Sequence, residues 1–295
     1  AHLMDNAEVR QRFEREARAV SSLNHPHICT LHDIGREGET DYIVMELVEG
    51  ETLADRLAKG ALPIEQVLRL GTEISDALDK AHRAGIVHRD LKPGNIMLAK
   101  SGAKLMDFGL ARATASAGPV GVSSIALTGQ PSSPTMGQPL TAQGSIVGTF
   151  QYMAPEQLEG VEADVRSDLW ALGCVLYEMA TGKPAFIGAT QASLISAIMK
   201  DTPRPIGELV VLTPPGLDRL VRACLAKDPE ERIQTAHDVG LHLRWLAEGG
   251  SQMGVPALVS ARRRNRERLA WMLVGVAGLA AAGLAGKYGL YEAID

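Results

Sequence analysis

Three oxygen-bearing side chains, Asp90, Asn95 and Asp107, fall in two short runs, "IVHRDLKPGNIML" over 86–98 and "KLMDFGLA" over 104–111. A carboxylate such as Asp90 can accept the proton of an attacking hydroxyl. Asn95 and Asp107 can hold magnesium, a hard cation that takes oxygen ligands. Lys92 adds a fixed positive charge for a transferring phosphoryl group. Catalysis of phosphoryl transfer rests mostly on positioning and electrostatics, and these are the groups it uses. Either run alone says little, and ordinary loop residues are the competing reading. Together, in this order and spacing, the two runs make phosphoryl transfer much the more specific reading.

Hydropathy patterns show the elements that must position these groups. Residues 6–23 read as an amphipathic helix, with Val9, Phe13, Ala17 and Val20 at steps of three to four, stopped by Asn24-His25-Pro26. Residues 28–34 and 41–47 read as strands on either side of the turn-rich "GREGET". A long helical pattern follows over 64–84, and two short apolar pieces, 95–98 and 103–106, read as a hairpin around Ser101-Gly102. Further helical patterns lie over 156–159, 167–181, 190–200, 216–226 and 234–247. Residues 113–146 are Ser, Thr, Gly, Pro and Ala with almost no charge, a long connection with a functional role or no fixed structure.

Composition bounds the rest. The 295 residues suit one or two domains, and a hydrophobic fraction of 45% with 22% charged residues is that of a globular chain. With 30 Lys and Arg against 35 Asp and Glu, the net charge of −5 argues against a basic nucleic-acid binder, and no nucleic-acid partner is expected. Cys29, Cys174 and Cys224 are far apart with no CxxC pair. That argues against a zinc site or a disulfide framework and fits a reducing compartment. Aromatic residues are only 4%, so Leu, Val, Ile and Ala must build the core.

The motifs resemble those of the bacterial eukaryotic-like (Hanks-type) serine/threonine protein kinases with a membrane anchor, and the resemblance covers roughly 1–247. It implies an α+β, bilobal protein kinase-like fold with a mostly helical C-terminal lobe, and ATP and Mg2+ as cofactors. Residues 1–48 would be a partial small lobe and 49–247 the large lobe, with the activation segment over 107–156. His88-Arg89-Asp90 resembles the catalytic loop, with Asp90 as base and Asn95 and Asp107 as metal ligands. "MAPEQ" at 153–157 resembles the end of the activation segment. "SDLWALGCVLYEM" at 167–179 resembles the buried F helix, where Asp168 would brace the catalytic loop. Glu156 and Arg232 match a buried ion pair of the large lobe. Glu16 matches the C-helix glutamate and Met45 the gatekeeper; Glu46 to Val48 would be the hinge that offers backbone groups to adenine, and Met97 would lie under the ring. A methionine at a strand end is also ordinary core packing. Val20, Leu31, His88 and Phe108 match a hydrophobic column joining the lobes. Lys92 in "LKPGN" marks specificity for protein Ser/Thr hydroxyls, and Thr149 would shape the substrate site. Arg89 calls for an anion, which a phosphorylated hydroxyl of the long segment would supply; Thr141 and Ser145 lie closest to its substrate end.

One departure stands out: no GxGxxG and no lysine in a "VAIK" context occurs in the chain, so Glu16 has no visible partner. Since the downstream motifs are whole, the expectation is an N-terminally truncated piece of an active kinase with an incomplete N-terminal lobe, itself inactive. A membrane-tethered pseudokinase or scaffold is the alternative. A small-molecule phosphotransferase of the aminoglycoside type is disfavoured by "MAPEQ" and "SDLW".

The C-terminal part suggests a membrane. Residues 248–268 read as a linker and basic juxtamembrane segment, with Arg262, Arg263, Arg264, Arg266 and Arg268. The uncharged run 269–286 would span about 27 Å as a helix, enough for a bilayer core. Trp271, Tyr288 and Tyr291 would be interface anchors, with a buried soluble helix as the competing reading. The positive-inside rule would keep the kinase domain cytoplasmic and 287–295 outside, in a single-pass protein of the inner (plasma) membrane. Protein substrates, the membrane through one helix and a homodimer are the expected partners.

Overall fold

The computed structural model describes residues 15, 17–38, 40–108 and 150–253. The chain divides into two compact units, Ala1–Glu248 and Gly249–Asp295, and the architecture described here is that of the first. Residues 17–21 are helical, within the helix expected over 6–23, and Ala17, Val20 and Leu23 are buried. Two strands follow, β1 (Leu31–Glu37) and β2 (Thr40–Met45), as an antiparallel hairpin that pairs Leu31 with Met45 and Glu37 with Thr40. The strands were expected to end at 34 and to begin at 41. β1 instead runs on through Gly35, Arg36 and Glu37, because the reversal sits at Gly38, where φ is 62° and glycine alone is unstrained.

A second sheet has the order β3-β4-β5, all antiparallel, with β3 at Gly50–Thr52, β4 at Ile96–Ala99 and β5 at Gly102–Leu105. Its β4–β5 hairpin turns at Lys100 and Ser101, close to the sequence expectation. Gly102 is obligatory there: φ is 118°, and a Cβ would stand 2.8 Å from the Glu73 carboxylate, which accepts the Ala103 N–H at 2.7 Å. Residues 27–29 lie along β5, through the Leu105 N–H to the His27 carbonyl and the Cys29 N–H to the Leu105 carbonyl. The first hairpin is thereby tied to the second sheet.

Eight further helices lie in the described residues, the first two between β3 and β4 and the others after β5: α1 (Leu53–Leu57), α2 (Ile64–Arg83), α3 (Pro155–Leu158), α4 (Val165–Thr181), α5 (Gln191–Lys200), α6 (Ile206–Leu209), α7 (Pro215–Cys224) and α8 (Ala236–Met253). α1 begins with a capping box in which the Thr52 and Asp55 side chains each accept the other's N–H. α2 buries one stripe, including Val67, Leu70, Ile74, Leu78 and Ala81. α4 differs: every residue from Ser167 to Tyr177 is buried. A helix that is apolar all round must be surrounded, and α2 and α7 pack against it. Gly173 permits the close approach of α7, since a Cβ there would sit 2.7 Å from that of Cys224. Asp164 caps α4 at its start and Gly182, at φ 68°, ends it. α8 continues through Gly249 and Gly250 to Met253, beyond the helix end expected at 247.

Trp170, fully buried in the second turn of α4, stacks on Phe186 with centroids 5.4 Å apart. The Lys227 ammonium lies 4.9 and 4.3 Å from these two ring centroids. Cys29, Cys174 and Cys224 are buried free thiols. Among the described residues no helix is long and apolar enough to cross a membrane, and the run 269–286 lies outside them.

Candidate active site

The loop after α2 carries His88, Arg89 and Asp90, and it is fastened from below by α4. Asp168, 1% exposed on the first turn of α4, accepts the N–H groups of His88 at 2.7 Å and of Arg89 at 2.8 Å on its two carboxylate oxygens. His82, in the last turn of α2, lies with Nε2 2.8 Å from the same carboxylate. Arg89 has φ 66° and Asp107 φ 56°, the two non-glycine residues in the left-handed region among those described. Such a conformation costs about 1–3 kcal/mol and persists only where the surroundings fix it. At Arg89 the buried acceptor Asp168 fixes it.

Beyond that clamp the loop presents Asp90. Its Oδ2 accepts Lys92 Nζ at 2.7 Å and Asn95 Nδ2 at 3.1 Å. Asn95 Nδ2 also donates to the Asp90 carbonyl at 2.9 Å. Asn95 is buried and sits in the 3-10 turn Pro93–Asn95, so its amide is rigidly placed. The structure thus brings Asp90, Lys92 and Asn95 into one cluster, with Asp90 and Lys92 each about one-third exposed.

His88 is fully buried beneath this loop. A carbonyl can only accept, so Nε2, 3.0 Å from the Met106 carbonyl, carries the ring proton, while Nδ1 accepts the Asp90 N–H at 3.4 Å. Burial pushes the imidazole pKa down, against the opposing pull of Asp168 and Asp90. His88 is therefore a neutral strut from the catalytic loop to the strand end before Asp107. Its ring lies 4.6 Å from that of Phe108. Val20, Leu31 and Phe108, which the resemblance places with it in a column, are all buried in one core.

Asp107 follows β5 with its side chain exposed. Asn95 and Asp107 make a fitting donor set for magnesium. The Asn95 nitrogen is engaged by Asp90, which leaves the amide oxygen, and Asp107 adds a carboxylate. Among the described residues no group of three or more His, Cys, Asp or Glu is arranged as a metal cage. Magnesium takes one or two protein oxygens and completes its octahedron with water and phosphate, so a donor set of this size is compatible with it.

The residues expected at the nucleotide lie at the end of β2, in the stretch after it, and on β4. Met45 ends β2 and is 40% exposed. Met97 on β4 is half-buried and lies opposite Lys104 and Thr52. Glu46 and Val48 are half-buried in the extended stretch 46–49. The Glu46 N–H donates to the Thr30 carbonyl at 2.9 Å, and its carboxylate accepts Lys104 Nζ at 2.8 Å and the Thr30 N–H at 3.2 Å. The hydrogen bond from Lys104 is the main reason that the Glu46 carboxyl lies below the ordinary carboxylate range.

The rear of the site is braced by Glu156 and Arg232. The pair is bidentate, at 2.8 and 2.7 Å. The remaining Arg232 donors go to the carbonyls of Ala226, Arg166 and Lys227, so all five are satisfied. Ser167 Oγ also donates to Glu156 at 2.7 Å. Burial raises the Glu156 pKa, but these hydrogen bonds outweigh it and hold the group below its usual range. Tyr152 donates to Glu178 at 2.6 Å and lines, with Arg89, Leu91, Met153 and Gln157, a narrow recess beside Asp90. Arg89 reaches Glu162 at 3.2 Å. Glu16 and Thr149 lie outside the described residues.

Sequence reasoning missed three residues here: His82 on Asp168, Lys104 on Glu46, and Glu162 on Arg89. The partners are 86, 58 and 73 positions apart, and no local pattern marks such pairs.

An α+β fold with a braced Asp, Lys and Asn cluster and an exposed Asp after the neighbouring strand β5 suits a phosphotransferase. The profile of the Protein kinase domain matches residues 2–245. The serine/threonine-protein kinase PknB of Mycolicibacterium smegmatis is 37% identical over 260 residues, 86% of this chain and 39% of that protein. The probable serine/threonine-protein kinase SCO3848 of Streptomyces coelicolor is 35% identical over 268 residues, covering 88% and 37%. The crystal structure of the Mycobacterium tuberculosis PknI kinase domain superposes with a TM-score of 0.58 at 25% identity, covering 83% of this chain and 81% of that one. The crystal structure of Rad53 in complex with AMP-PNP gives 0.61 at 27% identity, covering 79% and 54%. The chain belongs to the protein kinase family, as a bacterial, Hanks-type serine/threonine kinase domain. It spans about two fifths of the length of the curated relatives it matches.

Proposed function

We propose that the chain contributes the catalytic lobe of a kinase that transfers the γ-phosphoryl group of ATP to Ser and Thr hydroxyls of protein substrates. The observation that carries this reading is the cluster at Asp90. Its carboxylate is held by Lys92 and Asn95 at 2.7 and 3.1 Å, on a loop whose backbone Asp168 fixes. A hydroxyl entering beside Asp90 gives up its proton to the free oxygen of that carboxylate. Lys92 bridges Asp90 and the incoming phosphoryl group, where its charge opposes the developing negative charge. Magnesium, when bound, neutralises phosphate charge; Asn95 and Asp107 are the residues that would hold it. Glu46 to Val48 would offer main-chain groups to adenine, with Met45 behind and Met97 below. Rad53 was crystallised with AMP-PNP, and the matching relatives bear serine/threonine-kinase names, which supports nucleotide and substrate class alike. Thr149, beside the Tyr152 recess in sequence, would help shape the acceptor site.

The run 269–286 after the Arg cluster supports a single-pass anchor, with the kinase domain on the cytoplasmic side and pairing of copies through the membrane. Residues 1–295 contain no Gly-rich loop and no lysine in the strand-three context, which supports poor turnover by these residues alone. The test therefore uses the complete gene product. It should phosphorylate a protein at Ser or Thr in an ATP- and magnesium-dependent way, and Asp90→Asn should reduce turnover by about 10²–10⁴-fold while leaving nucleotide binding intact. Turnover indifferent to Asp90→Asn, or nucleotide binding with no transfer at all, would overturn the reading.

A further inference from the structure

α8 is apolar on two sides. Val239, Leu243 and Leu246 are buried in the core, while Leu241 is 47% and Trp245 56% exposed. At i and i+4 the exposed two are neighbours on one ridge. Arg244, between them in sequence, is paired with Asp76 at 2.9 Å and so brings no net charge to that ridge. A second exposed pair, Val211 and Leu212, precedes α7. The start of α7 lies against the same turn of α8, where a Cβ on Gly216 would come within 2.4 Å of Leu246 Cδ2. Five residues span at most about 18 Å, so Val211 and Leu212 belong to this part of the surface. Apolar residues scattered singly need no explanation, but grouped ones mark a contact.

We infer that this group, centred on Leu241 and Trp245, rests on the lipid surface of the bilayer that holds the chain. The inference rests on the reading of 269–286 as a membrane anchor. Residues 254–268 join α8 to that run, and whatever their conformation they reach at most about 60 Å. A lobe tethered so close to a bilayer meets it at a high effective concentration, so a small contact suffices. Arg262, Arg263, Arg264, Arg266 and Arg268 add attraction to anionic headgroups. Tryptophan suits the place, since its ring is apolar and its N–H is a donor, the combination enriched at membrane interfaces. The contact would give the Asp90 loop one orientation to the membrane, where a free tether allows many.

The experiment places the complete gene product in vesicles of phosphatidylcholine and phosphatidylglycerol. The difference in emission between wild type and Trp245→Phe isolates that one indole, whatever other tryptophans the protein holds. Its emission should be lost when the phosphatidylcholine carries brominated acyl chains, and should be insensitive to aqueous iodide. Leu241→Ser removes the neighbouring half-exposed leucine without touching the core. It should lower the ratio of lipid-bound to free Trp245 by about fivefold, half the effect of burying a whole leucine on the free-energy scale. Quenching by iodide and not by the brominated lipid, or no effect of Leu241→Ser, would overturn the inference. Protection from both quenchers would overturn it too, because the face would then be covered by protein. Extraction in alkaline carbonate separates the two readings. A protein that leaves the vesicles has no anchor, and the inference falls with the anchor reading. A protein that stays while iodide reaches Trp245 refutes the surface contact alone.

Discussion

The two faces of the site are held by different means. On the α4 face two charged groups are buried and fully engaged: Asp168 receives His82, His88 and Arg89, and Arg232 uses every donor it has. On the face proposed for the nucleotide Met45 is 40% and Leu47 89% exposed, and one ion pair, Glu46 with Lys104, steadies the strand exit. The contrast follows from what each face must present. A general base acts through a side chain, so its loop must be fixed within a fraction of an ångström. A hinge acts through main-chain N–H and C=O groups, and this stretch follows directly on β2, with the Glu46 N–H held by the Thr30 carbonyl. A buried network is therefore needed on one face only.

The sharpest way to break this contrast is Asp168→Ala. It strands two loop amides and the His82 ring, each buried donor costing about 1–3 kcal/mol, and it releases Arg89 from its left-handed conformation. The expected loss is at least about 3 kcal/mol in urea unfolding, with turnover falling further than the unfolded fraction explains. A loss under about 1 kcal/mol would show that the loop is self-supporting.

Arg232→Ala should come next, at about 3–5 kcal/mol, because it leaves the Glu156 carboxylate buried without its partner. The pH dependence is specific. Glu156 has a lowered folded-state pKa, so its contribution is present above the unfolded carboxylate value of about 4.3 and is lost as pH falls through the folded value. Wild type and Arg232→Ala should therefore converge in stability on acidification. Parallel curves down to the acid limit would remove Glu156 from the account.

The legibility of the sequence follows the same division. The clustering of Asp90, Lys92 and Asn95 was readable because these residues sit in one contiguous motif on a short loop. α4 was readable because an apolar run flanked by a cap and a glycine has few other fates. The end of β1 was not readable, since its register depends on pairing with β2 and the polar residues Arg36 and Glu37 resemble turn residues. His82 was invisible for another reason. A histidine in the last turn of an amphipathic helix looks like a favourable partner for the helix dipole, and only the crossing of α2 with α4 brings it to Asp168.

A smaller effect belongs to Lys227, which lies over Trp170 and Phe186 and donates to the Ile198 carbonyl. Burial pushes its pKa down to about 8, opposed by Cys174 and Asp201 and reinforced by Arg232. Between about pH 8 and the free-lysine value near 10.4 the unfolded chain holds the proton and the folded one does not, so stability rises with pH over this window. Lys227→Met should remove that rise. The check is the difference in unfolding free energy between the two proteins, measured across the window. A constant difference would mean that Lys227 titrates as it does in the unfolded chain.

The smallest expected effect probes the nucleotide face itself. Lys104 is 13% and Glu46 30% exposed in their ion pair, an intermediate setting in which removal of the lysine should cost about 0.5–1 kcal/mol. Lys104→Met keeps the length of the side chain on β5 and leaves Glu46 the Thr30 N–H, so the carboxylate is not stranded. Its pKa should move back up, because the Lys104 hydrogen bond is the largest cause of its depression. If the hinge relies on main-chain pairing, KM for ATP in the complete protein should rise by no more than about twofold, with kcat unchanged, since only ground-state positioning of the nucleotide is touched. A rise of about tenfold or more, equivalent to about 1.4 kcal/mol, would show that the Glu46–Lys104 pair organises the hinge as tightly as Asp168 organises the catalytic loop. The contrast between the two faces would then be one of exposure alone.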